Sequence, residues 1–325
     1  MKKNVAIAMG GYSSEYKISL NSGELVYNYL DRELYNLYRV HILLEGWFVV
    51  TDNNEKFPID KNDFSVNIQD KKITFDVVFN SIHGTPGEDG IFQAYLNILG
   101  IPQTSSAFYP AALTFNKRDC ISILRAYGIQ TAPNYLLNEG DDINTKAIIE
   151  KVGLPCFVKA NKAGSSFGIS KVYKEEELEK AIHFSYKEDD EVIIESFLDG
   201  TEVSVGVMNY QNEITALPVT EIISDNDFFD YKAKYLGESQ EITPANISDE
   251  NRIKVQKQAI KIFKILKLNG FARAEFIFHH HEPHFLEINT CPGLSEASII
   301  PQQVKAAGIS LKAFFTEMVR TALQS

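Results

Sequence analysis

The stretch from Gly270 to Gly293, GFARAEFIFHHHEPHFLEINTCPG, decides how this chain is read. Its opening GFARAEFIF alternates in period two, as a strand does, so Arg273, Glu275 and Ile277 share one side. The segment after the histidines alternates as well and puts Phe285, Glu287 and Asn289 on a common face. If Phe278 and His284 close a five-residue loop, Glu275 lies opposite Glu287 and Arg273 opposite Asn289. Two carboxylates, an amide and a guanidinium then converge on one face of a two-stranded ribbon. Such oxygen donors suit Mg2+ or Mn2+, which usually also take phosphate oxygens and water. A solvated strand face with surface ion pairs gives the same pattern, and the stretch alone does not separate the two. His279, His280, His281 and His284 fall in the loop without a second spaced pair of ligands, and Cys291 lies too far along to join them. An exposed polar turn is favoured over a zinc site.

Upstream, strands alternate with helices. VAIAM (5–9) is a short apolar strand, and a helix pattern follows with Ile18, Leu25, Val26, Tyr29 and Leu30. Tyr38, Val40, Ile42 and Leu44 alternate as a strand, FDVVFNSI (75–82) reads as a buried one, and IFQAYLNIL (91–99) as a helix. Such an order implies a parallel sheet covered by helices. Residues 110–128 read as one helix, with Pro at its start and Gly at its end. CFVKA, ISKVY and EVIIESF read as strands, with a helix over 174–186. VSVGVMN and ITALPVTEI pair across Tyr210–Glu213. The polar segment 224–248 reads as a mobile loop. A long helix (249–267), the hairpin and two helices close the chain.

Several of these elements meet at chemistry. KANKAGSSFGISKV (159–172) sets a lysine at a strand end before a Gly-Ser loop, the groups that cradle a polyphosphate. It is no Walker A loop, because the lysine precedes the glycines, and an ordinary Gly-Ser turn would look alike. HGTPGEDGIFQ (83–93) joins a strand end to a helix start, where α/β sheets bind ligands. GGYSSE (10–15) follows the first strand but lacks GxGxxG, so NAD binding is unsupported. FFDYKAKYLGESQEITPA (228–245) carries Lys234 and Tyr235 and reads as a surface loop or a lid.

Composition bounds the answer. The 325 residues carry 43 acidic and 32 basic side chains, a net charge of −11, which argues against a nucleic-acid partner. No run is long and apolar enough for a bilayer, and MKKNVAIAMGG reads as a first strand in preference to a signal peptide. Three scattered cysteines without a CxxC pair fit a reducing cytoplasm.

Taken in order, GGYSSEYKIS (10–19), HGTPGEDGIFQ (83–93), NK (116–117), VKANKAGSSFGISKV (158–172), FFDYKAKY (228–235), GFARAEFIF (270–278) and LEINTCPGLSEASIIP (286–301) resemble the D-alanine–D-alanine ligases of the ATP-grasp superfamily. The resemblance spans essentially the whole chain. It implies an α/β fold, α+β in its later part: an N-terminal Rossmann-like domain (1–106), a central lid (107–195) and a C-terminal catalytic domain (196–325). It makes Lys117 and Lys159 phosphate contacts, sets Glu195, Phe197, Leu198 and Glu202 around adenine and ribose, and lets Lys234 reach the γ-phosphate. Glu275, Glu287 and Asn289 match ligands of two Mg2+ or Mn2+ ions bound with ATP. Arg273 and the Gly293 N–H match oxyanion stabilisers, and Glu15, Ser165 and Tyr235 a set that positions the substrate amines. His83 matches a histidine near substrate, and Ser298 with Ile299 a pocket for the second carboxylate. The implied reaction joins two D-alanines through an acyl phosphate for peptidoglycan. D-lactate or D-serine as second substrate, and an inactive nucleotide-binding homologue, are the alternatives. Tyr235 stands where lactate-using relatives carry Phe, which favours an amine. Dimers are usual among the enzymes it resembles. Three positions depart from the pattern: Glu275 replaces the common Asp, Ala160 replaces the usual Pro after Lys159, and Cys291 replaces a small polar residue and could confer thiol sensitivity.

Overall fold

The computed structural model describes residues 2–164, 168–224 and 239–324. The chain opens with β1 (Lys3–Gly10), α1 (Tyr16–Tyr29) and β2 (Tyr35–Leu43). A meander of β3 (Gly46–Val50), β4 (Lys56–Asp60), β5 (Ser65–Ile68) and β6 (Lys71–Ile73) follows, then β7 (Val77–Asn80) and α2 (Ile91–Ile98). Strand order is β6-β5-β4-β3-β2-β1-β7. β1 runs parallel to β2 and β7, while β2 through β6 pair antiparallel, so the expected parallel sheet is mixed. The meander is short and half-wet, which is what an antiparallel extension allows and a helix-covered parallel one does not. β1 is the exception and is buried on both faces. Val5, Ile7 and Met9 pack with Val26, Phe79, Phe314 and Phe315, and Ala6 and Ala8 with Val40, Ile42, Phe64 and Phe92. Its unbroken apolar run follows from that.

Next come α3 (Phe108–Phe115) and α4 (Lys117–Ala126), where one helix was expected. Asn116 separates them: its backbone is extended (φ −89°, ψ 100°), and its side chain accepts the Asp119 N–H as an N-cap. The break matters, because it sets Lys117 at the first position of a helix. A second sheet, ordered β10-β9-β11-β8 and wholly antiparallel, consists of β8 (Asn134–Asn138), β9 (Cys156–Ala160), β10 (Ser170–Val172) and β11 (Glu191–Ser196). α5 (Thr145–Val152) and α6 (Glu175–Ser185) cover it through Ile148, Leu178 and Ile182.

The third sheet holds β12 (Thr201–Tyr210), β13 (Glu213–Ala216), β14 (Thr220–Ser224), β15 (Ser239–Ile242), β16 (Phe271–His279) and β17 (Glu282–Asn289). Its order is β15-β14-β12-β16-β17, with β13 also on β12. ITALPVTEI is two strands and not one, because Leu217 leaves the ladder and donates its N–H to the Gly206 carbonyl. The segment 224–248 is not wholly a loop, since Ser239–Ile242 pairs antiparallel with β14; residues 225–238 lie outside those described. α7 (Asp249–Ile265) packs on this sheet, and α8 (Ile299–Ala306) and α9 (Leu311–Ala322) end the described chain.

The hairpin β16–β17 turns more tightly than the spacing suggests. His280 and His281 both adopt positive φ (50° and 63°) in a two-residue turn. Left unbroken, that turn would set Leu286 opposite Glu275 and send Glu287 to the core. A register shift after Glu275 makes Leu286 the extra residue, so Glu275 faces Glu287 and Arg273 faces Asn289 after all. The expected five-residue loop is therefore wrong, while the expected pairs hold. Phe285 does not share the Glu287 face: it is buried against Phe276, ring centroids 6.0 Å apart. The turn histidines form no metal-ligating group among the described residues.

Candidate active site

A cavity of about 280 Å3 opens where the start of α1, the loop after β7, the start of α4, the β16–β17 face and the start of α8 meet. Arg273, Glu287 and Asn289 form one wall. Arg273 and Glu275 are almost fully buried, and the guanidinium holds Glu275 Oε1 at 2.6 Å from Nη2 and 3.1 Å from Nε. Burial opposes the Arg273 charge, but Glu275 and then Glu287 keep its pKa above the ordinary value. Glu275 itself sits behind Arg273, outside the cavity lining. Asn289 Oδ1 accepts the Cys291 N–H at 2.8 Å, which fixes the amide on the wall. Lys117 faces this wall, its ammonium 3.4 Å from Glu287 Oε2 and donating to the Ala163 carbonyl at 2.7 Å.

Glu287, Asn289 and the nearby Glu275 offer only carboxylate and amide oxygens, on adjacent strands with cationic neighbours. That donor set fits a hard divalent cation and not zinc.

The opposite rim belongs to the first sheet. Glu15 stands at the N-terminus of α1, and its carboxylate presses against the 161–164 loop: a Cβ on Gly164 would lie 2.7 Å from Glu15 Oε2. His83 is buried, with Nε2 3.1 Å from Ser22 Oγ. Burial lowers its pKa, against the pull of Glu15. Two acids that sequence reasoning did not assign also line the cavity. Glu88 accepts the Gly84 N–H at 2.6 Å, and burial, then the Glu15 charge, pushes its carboxyl up to about 8. The signal lay in HGTPGEDG. Glu241, on β15, accepts from Gln302 Nε2 at 3.1 Å and sits in the segment 228–245, which the sequence marked for Lys234 and Tyr235 alone.

At the far end, Ser298 caps α8 without a side-chain bond to the helix, its hydroxyl lying 2.7 Å from Ser295 Oγ. The first N–H groups of α8, from Ile299 on, are thus not satisfied by the cap residue, and helix N-termini attract anions. Gly293 lines the same end.

Other expected residues stand apart from this cavity. Lys159 on β9 pairs with Glu195 on β11 at 2.8 Å; burial works against the lysine charge, but Glu195, then Glu287 and Glu202, raise its pKa. Phe197 lies tilted against Phe157 (ring centroids 6.2 Å apart), with the Lys171 ammonium 4.3 Å from its ring centre, and Leu198 is buried. Glu202 lies on β12 opposite Ile277. Ser165, Lys234 and Tyr235 lie outside the described residues. Cys291 is buried, with Sγ 3.4 Å from Asn80 Nδ2 and 3.6 Å from the Gly87 carbonyl. Burial, then Glu88, drives its pKa well above the ordinary thiol value. Burial of the thiol and its raised pKa both argue against the expected thiol sensitivity.

Comparison with known proteins follows the same lines. The family patterns described as D-ala D-ala ligase N-terminus and C-terminus match residues 4–106 and 123–320. The D-alanine–D-alanine ligase of Christiangramia forsetii is 64% identical over 323 residues, 99% of each chain. That of Flavobacterium johnsoniae is 63% identical over 321 residues, again 99% of each. Among solved structures, the VanG D-Ala:D-Ser ligase of Enterococcus faecalis superposes with TM-score 0.88 at 28% identity, covering 99% of this chain and 100% of that one. A Bacillus anthracis D-alanine–D-alanine ligase complexed with ATP gives 0.79 at 27%, covering 99% and 98%.

Proposed function

The chain belongs to the D-alanine–D-alanine ligase family, and from that premise we propose that this cavity is where ATP drives the joining of two D-alanines. Its fold is that of an ATP-grasp enzyme, α/β with a mixed N-terminal sheet before two further sheets. We assign 1–106, 107–195 and 196–325 as its three domains, supported by the separation of the sheets. One observation carries the reading: Arg273, Glu287 and Asn289 on a half-buried strand face, opposed by Lys117 and by the open N-terminus of α8.

A carboxylate resists attack by an amine. Oxygen of the first D-alanine therefore attacks the γ-phosphorus, the bridging P–O bond breaks, and ADP leaves an acyl phosphate. Lys117 and Lys159 offset charge on the phosphates, with Lys234 completing the set, while Glu195, Phe197, Leu198 and Glu202 hold the nucleoside. Divalent Mg2+ or Mn2+, two ions held by Glu275, Glu287 and Asn289, would shield the phosphoryl oxygens when bound. Glu15, with Ser165 and Tyr235, receives the first ammonium. The amine of the second D-alanine, its carboxylate seated on Ser298 and Ile299, then attacks the carbonyl carbon. Arg273 and the Gly293 N–H stabilise the oxyanion; the C–O bond to phosphate breaks and the amine gives up its proton.

D-alanine is the second substrate assigned, since Tyr235 favours an amine nucleophile. A cytoplasmic homodimer that binds neither nucleic acid nor membrane is the setting we assign. Free, buried cysteines support it, and no described helix is long and apolar enough to cross a membrane. The test mixes enzyme, Mg2+, ATP and D-alanine and follows phosphate and dipeptide together. Equal amounts are expected, and phosphate without dipeptide would refute the proposal. D-serine in competition reads the second site directly.

A further inference from the structure

Ser22 is fully buried on α1, one turn beyond Ile18 of the cavity lining, and nothing in the proposed chemistry uses it. Its oxygen nevertheless joins three segments. It accepts the Leu294 N–H at 3.1 Å and lies 3.1 Å from His83 Nε2. The His83 ring meets the backbone of Cys291 on its other side. A ring that donates to the Cys291 carbonyl keeps Nε2 as an acceptor, so the Ser22 O–H donates to it and the Ser22 oxygen remains open to Leu294. Donors and acceptors then run one way without conflict: Leu294 N–H to Ser22, Ser22 O–H to His83, His83 N–H to Cys291.

The consequence is geometric. His83 and Ser22 both come from the first sheet's domain, yet they grip one turn of the catalytic segment at two points, residues 291 and 294. Gly293 lies between the grips. A Cβ there would fall 3.0 Å from Ser298 Oγ, so the turn is also pressed on the start of α8. Cut the hydroxyl from residue 22 and Leu294 loses its acceptor, His83 loses its donor, and the turn is held at one point.

We propose that Ser22 is a positioning residue that, through His83 and Leu294, aims the Gly293 N–H at the oxyanion of the tetrahedral intermediate. This rests on the oxyanion role given to Gly293 above. An aimed donor acts on the transition state more than on the bound substrate, so its loss lowers kcat and spares KM. A residue that merely stabilises the fold does not divide the two in this way.

The experiment compares Ser22→Ala, His83→Asn and their double variant with the parent enzyme. It measures kcat, KM for ATP and D-alanine, and the affinity of a phosphinate dipeptide that mimics the tetrahedral intermediate. Expected for Ser22→Ala is a kcat lower by about tenfold or more, KM values within about twofold, and phosphinate affinity falling with kcat. The double variant should cost no more than His83→Asn alone, because both cuts open one circuit. A folded Ser22→Ala enzyme with parental kcat overturns the clamp and leaves the Gly293 assignment standing. A lowered kcat with parental phosphinate affinity refutes the oxyanion role of Gly293, and the inference with it. Should Ser22→Ala fold poorly, Ser22→Gly and the His83→Asn arm carry the same readouts.

Discussion

The hairpin β16–β17 and the β9–β11 pair both bury charge, and they do so in opposite ways. On β9–β11, Lys159 meets Glu195 at 2.8 Å across adjacent strands, a match that satisfies itself. On the hairpin, Glu275 stands directly opposite Glu287. Like charges facing each other across a ladder are destabilising, and here they are tolerated only with Arg273 and Lys117 drawn against them. The first arrangement is a closed strut. The second sets its carboxylates and cations on a face that opens onto the cavity, where a cation and a phosphoryl group can be received. What separates the two is access: the first pair is shut between strands until ATP reaches Lys159, while the second opens onto the cavity.

Glu287→Gln attacks the open face and should produce the largest effect. Turnover is expected to fall by about a thousandfold, while stability of the ligand-free protein changes by less than about 1 kcal/mol, since a partly exposed pair is lost. Lys159→Met attacks the closed strut. It strands a buried Glu195, so a loss of about 3 kcal/mol in denaturant unfolding is expected, with Lys159→Met/Glu195→Gln recovering part of it. If the two variants exchanged these signatures, the contrast would be broken. Glu88→Gln tests a third buried charge, on the rim of the same cavity. With its carboxyl raised to about 8, the folded protein keeps a proton that the unfolded chain releases near 4.5. The parent should therefore lose stability relative to Glu88→Gln as pH rises from about 5 to about 8, where the slope is set by the bound-proton difference. Parallel melting curves across that range would show that Glu88 does not titrate there.

The hairpin was legible because alternation in a strand is set by geometry, and the facing pairs follow from it. The bulge at Leu286 was not, since a single extra residue leaves no mark on composition. There the tight turn at His280–His281 and the bulge offset each other, which is why a wrong loop still led to the right pairs. β3 to β6 were missed because three to five residues with one wet face carry little periodicity. The break at Asn116 did have a signal, an Asn three residues before Asp119, and an unbroken apolar pattern outweighed it. Glu15, His83, Gly293 and Ser298 came from collinear motifs and not from periodicity, and the fold brings all four to one cavity. Ser22 and Glu241 had neither source: one lies on the buried face of a helix, the other in a segment poor in apolar anchors.

The most direct measurement counts cations on the open face. Mn2+ is titrated into the protein with a non-hydrolysable ATP analogue and followed by electron paramagnetic resonance, for the parent, Glu287→Gln and Lys159→Met. Binding of two ions per chain is expected in the parent, and loss of at least one in Glu287→Gln. Lys159→Met should keep the count and lose only nucleotide affinity. Equal stoichiometry and affinity in the parent and Glu287→Gln would contradict the claim that this strand face is the metal site.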